Sequence, residues 1–273
     1  MATPETIDPG KVRPPAVAGR FYPADPVALR QLITDLLAQV PPTTGPAPKA
    51  LIAPHAGYLY SGPIAASAYA QLISARDQIK RIVLFGPSHY VALHGLATTS
   101  AEAFATPLGI VPVDAEAVRQ VRALPQVKEL DEAHAQEHSL EVQLPFLQCV
   151  LGDFKLVPLA VGDATPEEIS QALDALWGGP ETRFVISSDL SHYHDFKTAQ
   201  RLDRATAKAI EALKPGGIGE EGACGRMPIR GFLQSAHRHG LRARTVDLRN
   251  SGDTAGPRDK VVGYGAFVFE EGR

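Results

Sequence analysis

Four stretches of this chain are apolar almost without interruption, at 50–53, 82–85, 156–161 and 184–186. Three of them run into Pro54, Gly86-Pro87 and Ser187-Ser188. Short apolar runs closed by Gly, Pro or Ser are the pattern of strands buried on both faces, as in a parallel sheet. Between them the period changes. Val27, Leu29, Leu32, Ile33, Leu36 and Leu37 follow helical spacing behind Asp25-Pro26, an N-cap followed by a proline at the first helical position. Ala65, Ala66, Ala68, Tyr69, Leu72 and Ile73 repeat that spacing after Gly62-Pro63. Further helices are predicted at 114–123, 140–150 (with Pro145 as a break), beyond Thr165-Pro166, and at 199–213 and 228–239. Short strands near 95–99 and 110–113 read as a hairpin or edge extension, and strands at 243–248 and 261–269 close the chain. Strands alternating with helices predict an α/β fold: one domain over 1–273 with a central, mostly parallel mixed sheet flanked by helices. Residues 1–16, rich in proline and polar side chains, read as an extended arm.

Composition narrows the function classes. Apolar residues make up 44% and charged residues 21% of the 273, and the formal net charge is −3. Nothing here suggests a basic surface for nucleic acid or for an anionic membrane. Two cysteines, Cys149 and Cys224, make neither a disulfide framework nor a zinc-binding pair, which points to a reducing, cytoplasmic setting. Met1 to Lys11, with Glu5 and Asp8, does not read as a signal peptide. No apolar run approaches the ~18 residues of a membrane span.

The chemistry is expected at strand ends. His55, His89 and His192 each stand a few residues beyond an apolar run, and ligand sites in open α/β sheets form outside the carboxyl ends of the strands. Local packing explains any one of these histidines but not the repetition. Asp189 lies three residues before His192, close enough to share a side after the strand. Imidazoles with a carboxylate form the ligand set of non-haem Fe(II) sites, and zinc or copper would accept it as well.

Other segments carry candidates of a second kind. In His134-Ala135-Gln136-Glu137-His138-Ser139-Leu140-Glu141 a helix would stack His134 on His138 and His138 on Glu141. The glutamate of a zinc-binding HExxH helix is misplaced here, so His138 and Glu141 read as groups that orient metal ligands or face substrate. A solvated helix start explains the same pattern. Gly57-Tyr58-Leu59-Tyr60-Ser61-Gly62 reads as a pocket wall or an ordinary loop. Cys224-Gly225-Arg226 reads as a thiol at a helix start or a structural turn, and Asn250-Ser251-Gly252-Asp253-Thr254 as an Asx-type loop with a carboxylate.

Several of these segments, in order, resemble the Memo (mediator of cell motility) family: Val12-Arg13-Pro14-Pro15-Ala16-Val17-Ala18-Gly19-Arg20-Phe21-Tyr22-Pro23, Ala53-Pro54-His55-Ala56-Gly57-Tyr58, Gly86-Pro87-Ser88-His89, Glu137-His138-Ser139-Leu140-Glu141, Ser188-Asp189-Leu190-Ser191-His192 and Cys224-Gly225-Arg226. The bacterial and archaeal members resemble protein B of a system that includes an AMMECR1-like protein and a radical SAM protein, which are the implied partners. The resemblance implies a fold similar to class III extradiol (LigB-like) dioxygenases. Carried over, it makes His55 and His89 metal ligands and His192 the acid/base group, with Asp189 beside it. Animal Memo proteins place a cysteine ligand in the last loop; that stretch reads Gly252-Asp253-Thr254 here, so Asp253 is expected as the third ligand. A carboxylate there favours Fe(II) or manganese, where a thiolate favours copper. The implied function is a metal-dependent oxidoreductase acting on a small-molecule substrate, with His192 moving a proton. The alternative is a binding protein that receives an anionic ligand or phosphopeptide through Arg20, Tyr58, His89 and His192.

Overall fold

A computed structural model describes residues 7–43 and 45–272. The first six residues of the expected arm lie outside them. The strands are β1 (Val12–Arg13), β2 (Ala50–Ala53), β3 (Arg81–Pro87), β4 (Leu96–Thr98), β5 (Ala103–Thr106), β6 (Gly109–Pro112), β7 (Val127–Glu129), β8 (Lys155–Val161), β9 (Thr182–Ser187), β10 (His192–His194), β11 (Leu241–Asn250) and β12 (Val261–Glu271). The helices are α1 (Pro26–Ala38), α2 (Tyr58–Tyr69), α3 (Ala115–Val121), α4 (Glu132–Ala135), α5 (His138–Glu141), α6 (Leu144–Val150), α7 (Pro166–Ala175), α8 (Phe196–Glu211) and α9 (Arg226–Arg238).

The main sheet runs β10-β12-β2-β9-β3-β8-β4-β7, with β11 also paired to β12. The four apolar runs are its heart: β2, β9, β3 and β8 are mutually parallel, and β12 and β4 flank them antiparallel. The fold is therefore the expected α/β arrangement, a mixed sheet with helices around it. Leu51, Ile52, Val83, Leu84, Val185 and Ile186 are fully buried, as parallel strands covered on both faces require. Because β2, β3 and β9 point the same way, residues 54–55, 88–89 and 188–192 emerge on one rim.

Local chemistry explains where the elements depart from expectation. Of the hairpin or edge extension expected from 95–99 and 110–113, β4 forms an edge extension of the main sheet beyond β8, while β6 pairs with β5 and not with β4. The helix expected at 140–150 is two helices, because Pro145 has no N–H to offer and opens α6 rather than continuing α5. The arm is more than extended chain. Asp8 caps a turn at Pro9–Lys11, β1 adds a parallel strand to β5, and Val17 and Tyr22 are buried in the core. Among the described residues no helix is long and apolar enough to cross a membrane.

Candidate metal centre

His55 follows β2 by two residues and is buried; its backbone N–H donates to Asp189 Oδ1 at 2.8 Å. Its Nδ1 meets Ser187 Oγ at 2.8 Å, while that hydroxyl donates to the Ser139 carbonyl at 2.5 Å. A hydroxyl has one proton, so Ser187 must accept from His55. The ring is therefore Nδ1-protonated, and its Nε2 lone pair faces the Cys224 thiol at 3.2 Å.

The same logic holds at two more positions. His89 Nδ1 lies 2.9 Å from Glu137 Oε1, and its backbone N–H donates to Glu137 Oε2 at 2.6 Å. Burial alone would raise Glu137, but the hydrogen bonds from His89 and from the amides of α5 outweigh it and hold the carboxyl at about 2. A carboxylate only accepts, so His89 carries its proton on Nδ1. His192 Nδ1 donates to the Leu190 carbonyl at 2.8 Å. In each of the three strand-end histidines it is thus Nδ1 that is held.

His138, at the start of α5, completes the group. Its ring stacks on His89 with centroids 4.6 Å apart and meets His55 edge-on at 5.4 Å. One ligand nitrogen from each of His55, His89 and His138 lies within 4.8 Å of the other two. The buried Nδ1 of His138 makes no regular hydrogen bond among the described residues and lies 3.4 Å from Glu137 Oε1. Burial, and then the neighbouring imidazoles, depress His55 to about 3 and His138 to about 4. Both are neutral donors at pH 7, the form a cation requires.

Cys224 brings a thiol to the same place. Its Sγ lies 3.2 Å from His55 Nε2, and burial raises it to about 12, so without a cation it stays protonated. The next residue, Gly225, donates its N–H to Ser188 Oγ at 2.9 Å, and a Cβ there would sit 2.7 Å from the Ser188 side chain. Only glycine lets the chain approach this closely. Asp189, raised by burial, accepts the His55 amide rather than facing a cation alone.

These groups line a cavity of about 710 Å³. Its walls add Phe21, Tyr60, Tyr90, Tyr193 and Tyr264, with Lys260 at the edge. Tyr193 has φ 62° and is 72% exposed at the mouth. A non-glycine residue in this region stores roughly 1–3 kcal/mol of strain, and such strain clusters at functional sites.

The structure brings together His55, His89, His192, Asp189 and Cys224, and it adds His138, which sequence reasoning placed behind the ligands. It does not bring Asp253. That carboxylate accepts from the Asn250 amide at 3.1 Å in a capping box at the turn 251–253, and it does not line the cavity. The thiol inferred to be absent is supplied by Cys224, from the start of α9 instead of the loop before β12. Arg20 is exposed and lies off the cavity wall. Tyr58 is buried, its hydroxyl donating to the Val142 carbonyl at 2.6 Å. Glu141 is fully buried and turned toward the arm. Glu137, read from the sequence only as a misplaced glutamate within a helix, is the N-cap of α5.

The sequence matches the Memo-like protein family over residues 13–268. The chain belongs to the Memo family. It is 35% identical over 270 residues to a MEMO1 family protein of Aquifex aeolicus, covering 95% of this chain and 99% of that protein. It is also 36% identical to MEMO1 family proteins of Ignicoccus hospitalis, covering 94% and 98% of the two chains, and of Methanopyrus kandleri, covering 95% and 99%. The family resemblance seen in the motifs therefore extends over nearly the whole length of these Memo relatives.

Proposed function

We propose that this Memo protein is a metal-dependent oxidoreductase whose cation is held by His55, His89 and His138 with Cys224 alongside. The observation that carries this reading is the set of three imidazole donors within 4.8 Å of one another, with His55 and His138 held neutral by burial and His89 fixed by a carboxylate. Imidazoles with a soft thiol suit copper or zinc as well as iron, and the two-histidine, one-carboxylate set expected for Fe(II) has lost its carboxylate. Fe(II) therefore stands beside copper here and not ahead of it.

When bound, such a cation polarises a chelating substrate and supplies redox capacity. The chain's own groups do the rest. His192 carries its proton on Nδ1, held by Leu190 O, so Nε2 is free to take a proton from a substrate in the cavity. Ser187 and Glu137 orient His55 and His89 from behind. The aromatic walls seat a flat, partly apolar molecule and thin the water around it. A likeness to ring-cleaving dioxygenases fits this layout, and catechol-type compounds are the first substrates to try.

Protein purified without oxygen should carry about one redox-active metal per chain and consume oxygen when given a catechol-type chelator. Absence of metal together with absence of uptake defeats the proposal. Zinc alone would keep the site and remove the oxidoreductase reading. The binding-only alternative is weakened because Arg20, its intended guanidinium, is not in the cavity.

A further inference from the structure

The segment 134–141 carries both Glu137, which orients His89, and His138 itself. It consists of the end of α4 and the whole of α5, four-residue helices too short to hold their own shape. Something else must fix it, and the contacts identify what does. Arg13, 6% exposed, donates through Nε to the His134 carbonyl at 2.9 Å and through Nη2 to the Glu137 carbonyl at 2.7 Å. Its Nη1 pairs with the carboxylate of Glu141. That carboxylate, wholly buried, also accepts from the amides of Ala16 at 2.7 Å and Val17 at 3.0 Å, and from the Tyr22 hydroxyl at 2.5 Å. One guanidinium thus spans the segment end to end, and one carboxylate ties its far end to the arm. The arm then places Phe21 with its ring 4.8 Å from His138.

We propose that Arg13, Glu141 and Tyr22 form a brace that positions His138 and Glu137, so that the N-terminal arm sets the shape of the cation site. Arg13, Glu141 and Tyr22 do not line the cavity, so they are positioning residues and not catalytic ones. A buried ion pair is a poor device for stability alone, whereas fixing a unique arrangement suits it. The stretch 12–22, of which the catalytic reading uses only Phe21 in the cavity wall, thereby acquires a role. This inference rests in part on reading the histidines as a cation site.

The test uses full-length Tyr22→Phe, which loses a single hydroxyl, and Glu141→Gln, with circular dichroism to establish folding. If Glu141→Gln does not fold, Tyr22→Phe decides alone. Two readouts are taken. Histidine nitrogen resonances of the metal-free protein should move at His89 and His138 and stay in place at His55 and His192. The dissociation constant for Co(II), followed by its visible absorption, should rise about threefold in Tyr22→Phe and about tenfold in Glu141→Gln, the lower range for groups behind metal ligands. A lower melting temperature with unchanged histidine resonances and unchanged Co(II) binding overturns the brace and leaves the cation site standing. If the wild type binds no Co(II), the cation reading fails. The resonances alone then decide: movement confined to His89 and His138 supports the brace, and its absence overturns it.

Discussion

The two ends of the same parallel strands hold cavities of similar size and opposite character. At the amino ends, a cavity of about 790 Å³ is bounded by Lys49, Trp177 and Arg183. There Lys49 Nζ donates to the carbonyls of Trp177, Gly178, Gly179 and Thr182, at 2.7 to 3.3 Å. Every donor of that ammonium is spent on main chain, so it fastens the turn and has nothing left for a ligand. At the carboxyl ends His55, His89 and His192 are each held through Nδ1, and with His138 they line the cavity. Size does not separate the two cavities. Unused bonding capacity does, and it marks the end where chemistry belongs.

Substitutions sharpen this contrast. His89→Ala should weaken divalent metal binding by more than about 100-fold, beyond the usual effect of groups behind a ligand, as metal analysis after dialysis would record. Lys49→Met should leave metal binding unaltered but lower unfolding stability by about 2 kcal/mol in urea, since four main-chain carbonyls, that of Thr182 buried, lose a charged donor. A metal loss in Lys49→Met would break the distinction.

Acid should act mainly through the buried histidines. His55, His138 and His134 have folded values of about 3, 4 and 4, below the ordinary 6.5, so the unfolded chain binds their protons first and stability falls as pH drops below 6.5. Asp203 opposes them. Burial raises it to about 6, so it contributes stability below 3.8 that is lost as pH rises through 6. Three protons against one leave a net slope of at most about 3 kcal/mol per pH unit near pH 5 in metal-free protein. Denaturant titrations at several pH values measure it, and a flat profile would mean that these histidines are solvated. The smallest effect is expected for Asp253→Ala: metal affinity within about twofold of wild type, and about 1 kcal/mol lost with its capping bond.

How much was legible follows from how each part is encoded. β2, β3, β8 and β9 announce themselves because burial on both faces demands unbroken apolar runs, and that places His55, His89 and His192 on one rim. β1, β7 and β10 are two or three residues long and owe their existence to a neighbour, which no local pattern records. His138 and Glu141, spaced to share a helical face, serve different neighbours because α5 ends after one turn. The thiol was sought in the wrong loop since contact between Cys224 and His55 spans 169 positions. Asp253 looked available because a cap and a ligand use the same residue type.

The turn from Ser187 to His192 has a consequence of its own. Ser187 secures one imidazole, Ser188 seats the glycine after the thiol, Asp189 holds the main chain at His55, and Leu190 fixes the second imidazole. Four consecutive residues therefore act as a single template for three reactive groups, two of which, His55 and Cys224, come from distant parts of the sequence. Inserting or deleting one amino acid there would disperse them together, so this turn is the part of the protein least free to change its length.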